Sequence, residues 1–244
     1  MKDYFSTGSS DYAKYRPHYP AELFSFLKKL TPERKRAWDC GTGSGQVAGE
    51  LAEFFEQVEA TDISRSQLDS AVKRSNINYS LQPAEKTSFP EHFFDLVTVA
   101  QAVHWFDLES FFQEVQRVLK PNGYIAVIGY SLFRSNSGTN AVIDHLYNDI
   151  VGPFWYPERR YLDEKYETIP FRFREIKTPH FEISQKWSFE HLLGYLRTWS
   201  SVKNYLKQKG EDPVSLIEAE LYNSFGETGE VVFPVLLRVG RKEI

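Results

Sequence analysis

The stretch Trp38-Asp39-Cys40-Gly41-Thr42-Gly43-Ser44-Gly45-Gln46 follows a short apolar run and precedes a segment of helical periodicity. Three glycines at alternate positions let the backbone turn sharply and keep side chains away from whatever approaches the turn. A strand ending in an acid, then these glycines, then a helix, reads as a ligand-binding loop rather than a plain strand-to-helix turn. On either side of it, short runs bounded by turn residues read as strands at 36–39, 58–62, 77–82, 95–101 and 124–130. Helical patterns separate them. Residues 46–57 place Val47, Leu51, Phe54 and Phe55 on one face, and Ser64 with Gln67 forms an S-x-x-Q capping box for a helix reaching about Lys73. A third helix, 108–119, turns Phe111, Phe112, Val115, Val118 and Leu119 inward and stops at Lys120-Pro121-Asn122-Gly123. Such alternation predicts a mostly parallel sheet covered on both faces.

From Ser131 to about Thr178 the chain is rich in aromatics, prolines and charges, and reads as a helix and loops laid over the sheet. Strands near 181–187 and 231–240, with helices around 189–199, 201–209 and 213–224 between them, predict an antiparallel pair that closes a seven-stranded sheet. One domain spanning 1–244 is expected: a ligand-binding core at 35–130, a lid and substrate cap from 1–30 and 131–225, and a closing strand at 226–244.

Composition narrows the function. Charged residues at 25% and hydrophobic residues at 41% describe a globular chain, while aromatics at 16% exceed what a core alone calls for and can line a pocket. A net charge of -4 and a pI near 5.9 offer no footprint for phosphate backbones or anionic membrane, so a small-molecule partner is expected, with neither nucleic acid nor membrane. The only cysteine is Cys40, which excludes an intrachain disulfide and a multi-cysteine metal site. No H-E-x-x-H, calcium loop or G-x-S-x-G is present, so no metal site is expected. No stretch has signal-peptide or membrane-spanning character, and a cytoplasmic protein is expected.

Two ligand classes compete for the glycine loop. Gly43-Ser44-Gly45-Gln46-Val47-Ala48 satisfies the G-x-G-x-x-G/A dinucleotide fingerprint, with Asp62 where a ribose-binding acid falls; this is the reading of an NAD(P)-dependent oxidoreductase. Against it, Asp39 to Thr42 intervene between strand and fingerprint and set a carboxylate beside the ligand, which repels a pyrophosphate. A ligand with an ammonium group gains from the same acid, and S-adenosylmethionine carries an ammonium and a sulfonium.

Here the residues resemble a family. Asp39-Cys40-Gly41-Thr42-Gly43-Ser44-Gly45 resembles motif I of class I S-adenosylmethionine-dependent methyltransferases, and Ala60-Thr61-Asp62-Ile63-Ser64 their second strand end. Pro83-Ala84-Glu85-Lys86-Thr87-Ser88-Phe89-Pro90 resembles the loop holding adenine, the run Phe94 to Phe106 resembles motif IV, and Val118 to Tyr124 the turn into strand five. The resemblance covers residues 1 to about 130. Its nearest branch is that of methyltransferase type 11, trans-aconitate methyltransferase-like proteins, which Tyr12-Ala13-Lys14-Tyr15-Arg16-Pro17-His18-Tyr19-Pro20 and Tyr195-Leu196-Arg197-Thr198-Trp199-Ser200 also resemble. It implies a Rossmann-like, doubly wound α/β fold and S-adenosyl-L-methionine as cofactor.

Under this resemblance Asp62 takes the ribose hydroxyls, with Ile63 beside it, and Asp39 faces the ammonium end. Gly41, Gly43 and Gly45 shape the loop, and the backbone of Ala84 and Glu85 holds the adenine. Gln101 is expected to bond the amino acid moiety, and Arg16 to pair bidentately with its carboxylate. His104 and Trp105 fall nearest the transferable methyl, as proton acceptor or hydrogen-bond donor and as π-wall, and are the catalytic candidates. Tyr15, Tyr19, Trp155, Tyr195 and Trp199 are the candidates for contacting the acceptor, from a cap that also carries Arg159, Arg160, Tyr166, Trp187 and Arg197. The reaction implied is in-line methyl transfer to a small molecule, O-methylation of a carboxylic acid first. A catalytically silent cofactor-binding regulatory protein remains the alternative beside the oxidoreductase.

Overall fold

A computed structural model describes residues 14–243. Its centre is an eight-stranded sheet in the order β3-β2-β1-β4-β5-β8-β6, with β7 paired to β8 off that path. The strands are β1 Arg36–Cys40, β2 Gln57–Asp62, β3 Ile77–Leu81, β4 Phe94–Ala100, β5 Leu119–Tyr130, β6 Arg174–Ile176, β7 Glu182–Ser188 and β8 Thr228–Arg241. The first five run parallel; β5–β8, β6–β8 and β7–β8 are antiparallel. The sequence pattern yields seven strands. The eighth is the three-residue β6, too short and too exposed to leave a hydrophobic period.

Parallel order follows from the burial pattern. Every residue from Phe94 to Thr98 in β4 is buried, as in a strand with helices on both faces, and such a strand reads as a continuous apolar run. On one face lie α1 Ala21–Leu30 and α2 Gln46–Leu51, burying Leu23, Leu27, Val47 and Leu51 against Ala37, Val58, Leu96 and Ile128. On the other, α4 Leu108–Val118 buries Phe111, Phe112, Val115 and Val118 around Trp38 and Phe94. Asp107 caps that helix, its carboxylate accepting the Ser110 amide at 2.8 Å.

Before Tyr130, three boundaries differ from their expected places. The segment 46–57 is helical only to Leu51, because residues 52–54 form a turn and Gln57 already joins β2. Helix α3, Arg65–Ser70, stops short of Lys73, and the S-x-x-Q box does not form: Ser64 makes no side-chain cap, and its amide donates instead to Asp62 at 2.9 Å. The expected turn Lys120–Gly123 is a bulge inside β5, where Phe94 pairs with Leu119 but Leu96 with Tyr124, and Asn122 takes a φ of 67°.

Beyond Tyr130 the chain builds a second apolar centre. The helices α5 Ser137–His145, α7 Phe189–Arg197, α8 Ser200–Lys209 and α9 Glu218–Phe225 surround Phe133, Trp187, Tyr195, Trp199 and Phe233. Helix α9 starts at Glu218, later than expected, because residues 213–217 are turns. A short helix, α6 Arg160–Asp163, lies among 3-10 turns at Gly152–Phe154 and Pro157–Arg159. No helix among the described residues is long and apolar enough to cross a membrane.

Candidate active site

The carboxyl ends of β1, β2 and β4 open into a cavity with about 1090 Å³ of empty space, open solvent included. This is where ligands of open parallel sheets bind. The loop after β1 runs through three glycines in the left-handed region, with φ of 65° at Gly41, 55° at Gly43 and 76° at Gly45. At Gly41 the conformation and the space coincide, since a Cβ there falls 2.7 Å from the Ala102 Cβ. Gly41 and Gly43 line the cavity. Gly45 does not; it starts α2 behind the loop, against the hydroxyl of Tyr79.

Two acids enter this space. Asp39, 1% exposed, accepts the Thr42 hydroxyl at 2.6 Å and the Thr98 hydroxyl at 2.8 Å. Burial pushes its pKa up to about 6, against the lowering effect of those hydroxyls. A carboxylate so placed has a strong electrostatic reason to take a cationic partner. Asp62, at the end of β2, accepts the Gly43 amide at one oxygen and the Ser64 amide at the other, both at 2.9 Å. Asp62 itself lines the cavity. Ile63 beside it and Ala84 after β3 contribute apolar wall.

Gln101 lines the mouth of β4 with a φ of 53°, and its side-chain amide donates to the Tyr130 carbonyl at 3.1 Å. Glu85 turns away from the cavity and accepts the Asp107 amide at 3.1 Å, next to the start of α4. Arg16, Pro17 and Tyr19 close the cavity from the N-terminal side, with Arg16 donating to the Tyr130 hydroxyl at 3.1 Å. Tyr12 and Ala13 of the same expected motif lie outside the described residues, as does the rest of 1–13 of the expected lid.

Comparison with known proteins agrees with this geometry. Residues 38–127 match the family model described as a methyltransferase domain. A Dictyostelium discoideum protein with a provisional methyltransferase name is 32% identical over 99% of this chain and 95% of its own length. The chain belongs to the class I S-adenosylmethionine-dependent methyltransferases. The structure of a provisionally named type II methyltransferase from Anaeromyxobacter dehalogenans is 39% identical, with a TM-score of 0.87 over 94% of this chain and 99% of that one. A Haemonchus contortus phosphoethanolamine N-methyltransferase solved with S-adenosyl-L-methionine shares the fold, at 19% identity and a TM-score of 0.52 over 100% of this chain and 59% of that one.

The remaining candidates of this methyltransferase separate into cavity wall and packing. Trp105 lines the cavity, 5.6 Å edge-on to Tyr156. His104 is 5% exposed and outside the lining, its ring 4.8 Å from Trp105 and its Nδ1 3.5 Å from the Tyr166 hydroxyl. Burial, then the charges of Arg159 and Arg16, push its pKa down to about 3, so it is neutral at neutral pH. Tyr195 and Trp199, each 3% exposed, belong to the second apolar centre rather than the cavity. Trp155 packs between Tyr147 and Trp199 at 5.0 and 5.6 Å. Tyr15 lies edge-on to His191 over the notch left by Gly194. Of the five expected acceptor contacts, only Tyr19 lines the cavity.

Among the wall residues that sequence reasoning missed are Gln82, Gln67, Phe106 and Tyr130. Tyr130 was legible as the last residue of the fifth strand, at the same sheet edge as Gln101. The other three carry no signal beyond lying within a few residues of a motif.

Proposed function

We propose that this cavity binds S-adenosyl-L-methionine and that the protein transfers its methyl in line to a small-molecule acceptor, the oxygen of a carboxylic acid being the first choice. The observation that carries this reading is the pair of acids in one cavity, Asp39 buried with its pKa raised to about 6 and Asp62 braced by two backbone amides. Asp39 would hold the ammonium, and Asp62 the vicinal hydroxyls of the ribose. The same buried acid disfavours a dinucleotide, whose pyrophosphate would lie against a carboxylate.

When bound, the cofactor supplies an electrophilic methyl on a positively charged sulfur. Trp105 and Phe106 line the cavity and would shield the methyl from water. A carboxylate acceptor, with a pKa near ~4, is already ionised at neutral pH and needs no base. Transfer would join its oxygen to the methyl and return the S–C electron pair to sulfur, leaving the chain's residues to align the two rather than to move a proton. A neutral His104 outside the lining is consistent with a reaction in which positioning supplies most of the rate, which can reach roughly 7–11 kcal/mol. We place the kinship in the trans-aconitate methyltransferase-like branch, and the site of action in the cytoplasm, with neither nucleic acid nor membrane as partner.

The test is transfer of labelled methyl from S-adenosylmethionine to a panel of small carboxylic acids, followed by alkaline release of the label as methanol, which esters give and N-methyl products do not. Cofactor binding with no transfer to any acceptor class would favour a silent binding protein.

A further inference from the structure

We infer that Tyr15 is a positioning residue: its ring, seated in a notch on α7 at Gly194, fastens the strap 15–20 across the cavity and sets how fast an adenosyl ligand leaves it. The inference rests on the methyltransferase reading and names what controls exchange at that site.

The notch is written into the helix. Gly194 lies inside α7, where glycine is unfavourable, and its φ is not in the left-handed region, so conformation does not require it. Space does. A Cβ at Gly194 would fall 2.4 Å from Cε1 of the Tyr15 ring. One turn earlier, His191 lies edge-on to the same ring at 5.2 Å, and its Nε2 donates to the Tyr15 carbonyl at 3.3 Å. The Arg16 guanidinium then lies 5.3 Å over the ring of Tyr195. Positions 191, 194 and 195 share one face of α7, and that face receives two successive strap residues.

From this anchor the strap crosses the cavity. Arg16, Pro17 and Tyr19 line it. On the far side His18 Nδ1 meets the side-chain amide of Gln46 at 2.7 Å, where Gln46 opens α2 and also lines the cavity. Pro17 and Pro20 have no amide N–H to give to a strand ladder, so side chains at its two ends fasten the strap. Tyr15 does not line the cavity and acts on a ligand through the residues that follow it. Since α7 belongs to the second apolar centre, the latch joins that centre to the cofactor cavity.

The experiment measures association and dissociation rates of S-adenosylhomocysteine by stopped-flow tryptophan fluorescence, Trp105 lining the cavity. Tyr15→Ala and Gly194→Ala should each speed dissociation at least tenfold without slowing association. The double variant should dissociate within twofold of Tyr15→Ala alone, because both changes open one latch. In that background alanine at 194 favours the helix, so the double variant should melt no lower than Tyr15→Ala and yet release the ligand no more slowly. Tyr15→Phe keeps the ring and should release at the parent's rate within twofold. If both single variants release at the parent's rate, or if their effects multiply in the double variant, the inference is wrong while the cofactor reading stands. If S-adenosylhomocysteine does not bind the parent, the underlying reading fails first and takes the inference with it.

Discussion

Asp62 accepts the Gly43 amide at 2.9 Å, so the acid ending β2 holds in place the glycine loop that follows β1. Its other oxygen takes the Ser64 amide and anchors the start of α3. One carboxylate therefore shapes the loop and lines the cavity it encloses. Asp62→Ala should lower S-adenosylhomocysteine affinity at least a hundredfold, about 2.7 kcal/mol. It should also cost about 1–3 kcal/mol of stability through the amides left unpaired. Calorimetry and thermal unfolding read the two effects separately; unchanged affinity would remove the ribose assignment.

Asp39 gives a prediction with two opposite signs. Its folded pKa of about 6 exceeds the unfolded value near 3.9, so the native state binds the extra proton and stability falls as pH rises from about 4 to about 6. Asp39→Asn should therefore be more heat-stable than the parent at pH 7.5 without ligand. It should also bind S-adenosylhomocysteine at least tenfold more weakly. In the parent, affinity should rise between pH 5 and 7 as the acid ionises, and in the variant this rise should vanish. A variant that binds as tightly as the parent would contradict the ammonium role.

His104 acts in the reverse direction. Its folded pKa of about 3 lies below the unfolded 6.5, so its contribution to stability is complete above pH 6.5 and is lost as pH falls toward 3. His104→Gln should flatten the acid arm of the stability profile between about pH 6.5 and 4. It should also slow turnover, by about tenfold, without altering S-adenosylhomocysteine affinity or the shape of the pH–rate profile. Loss of a titrating limb from that profile would instead make His104 a proton acceptor.

Gly41 and Gly43 separate space from conformation. Both have positive φ, but a Cβ at Gly41 collides with Ala102, whereas at Gly43 its nearest neighbour is the Gln67 side chain at 3.9 Å. Gly43→Ala should cost about 1 kcal/mol from strain alone, and Gly41→Ala about 2–3 kcal/mol. At about 2–4 °C per kcal/mol for a chain of this size, the two melting temperatures are distinguishable. Equal shifts would show that the close approach to Ala102 relaxes at no cost.

The strands of the core and the placement of the loop were legible because they rest on period and punctuation. Residues such as Val97 and Val99 in β4, or Phe111 and Val115 in α4, declare their faces through spacing alone. Asp39, Gly41, Gly43 and Asp62 were legible because the motif is local, and so were Ile63, Ala84, Gln101 and Trp105, which follow strand ends. The acceptor contacts were not. Tyr195 and Trp199 have the same composition as pocket aromatics, yet they pack on Phe133 and Trp155, and only tertiary packing tells a ring in a core from a ring at a ligand. The Glu85 carboxylate bonds the Asp107 amide, which leaves the expected role of its backbone untouched. The S-x-x-Q box failed because Asp62 competes for the Ser64 amide.

On the function proposed above, the cavity at the ends of β1, β2 and β4 is built for an adenosyl sulfonium rather than a dinucleotide. Calorimetric titration with S-adenosylmethionine, S-adenosylhomocysteine, NADH and NADPH tests it most directly. Micromolar binding of the two adenosyl ligands, with no heat from either nicotinamide, is the expected result. Binding of a nicotinamide, or of none of the four, would contradict it.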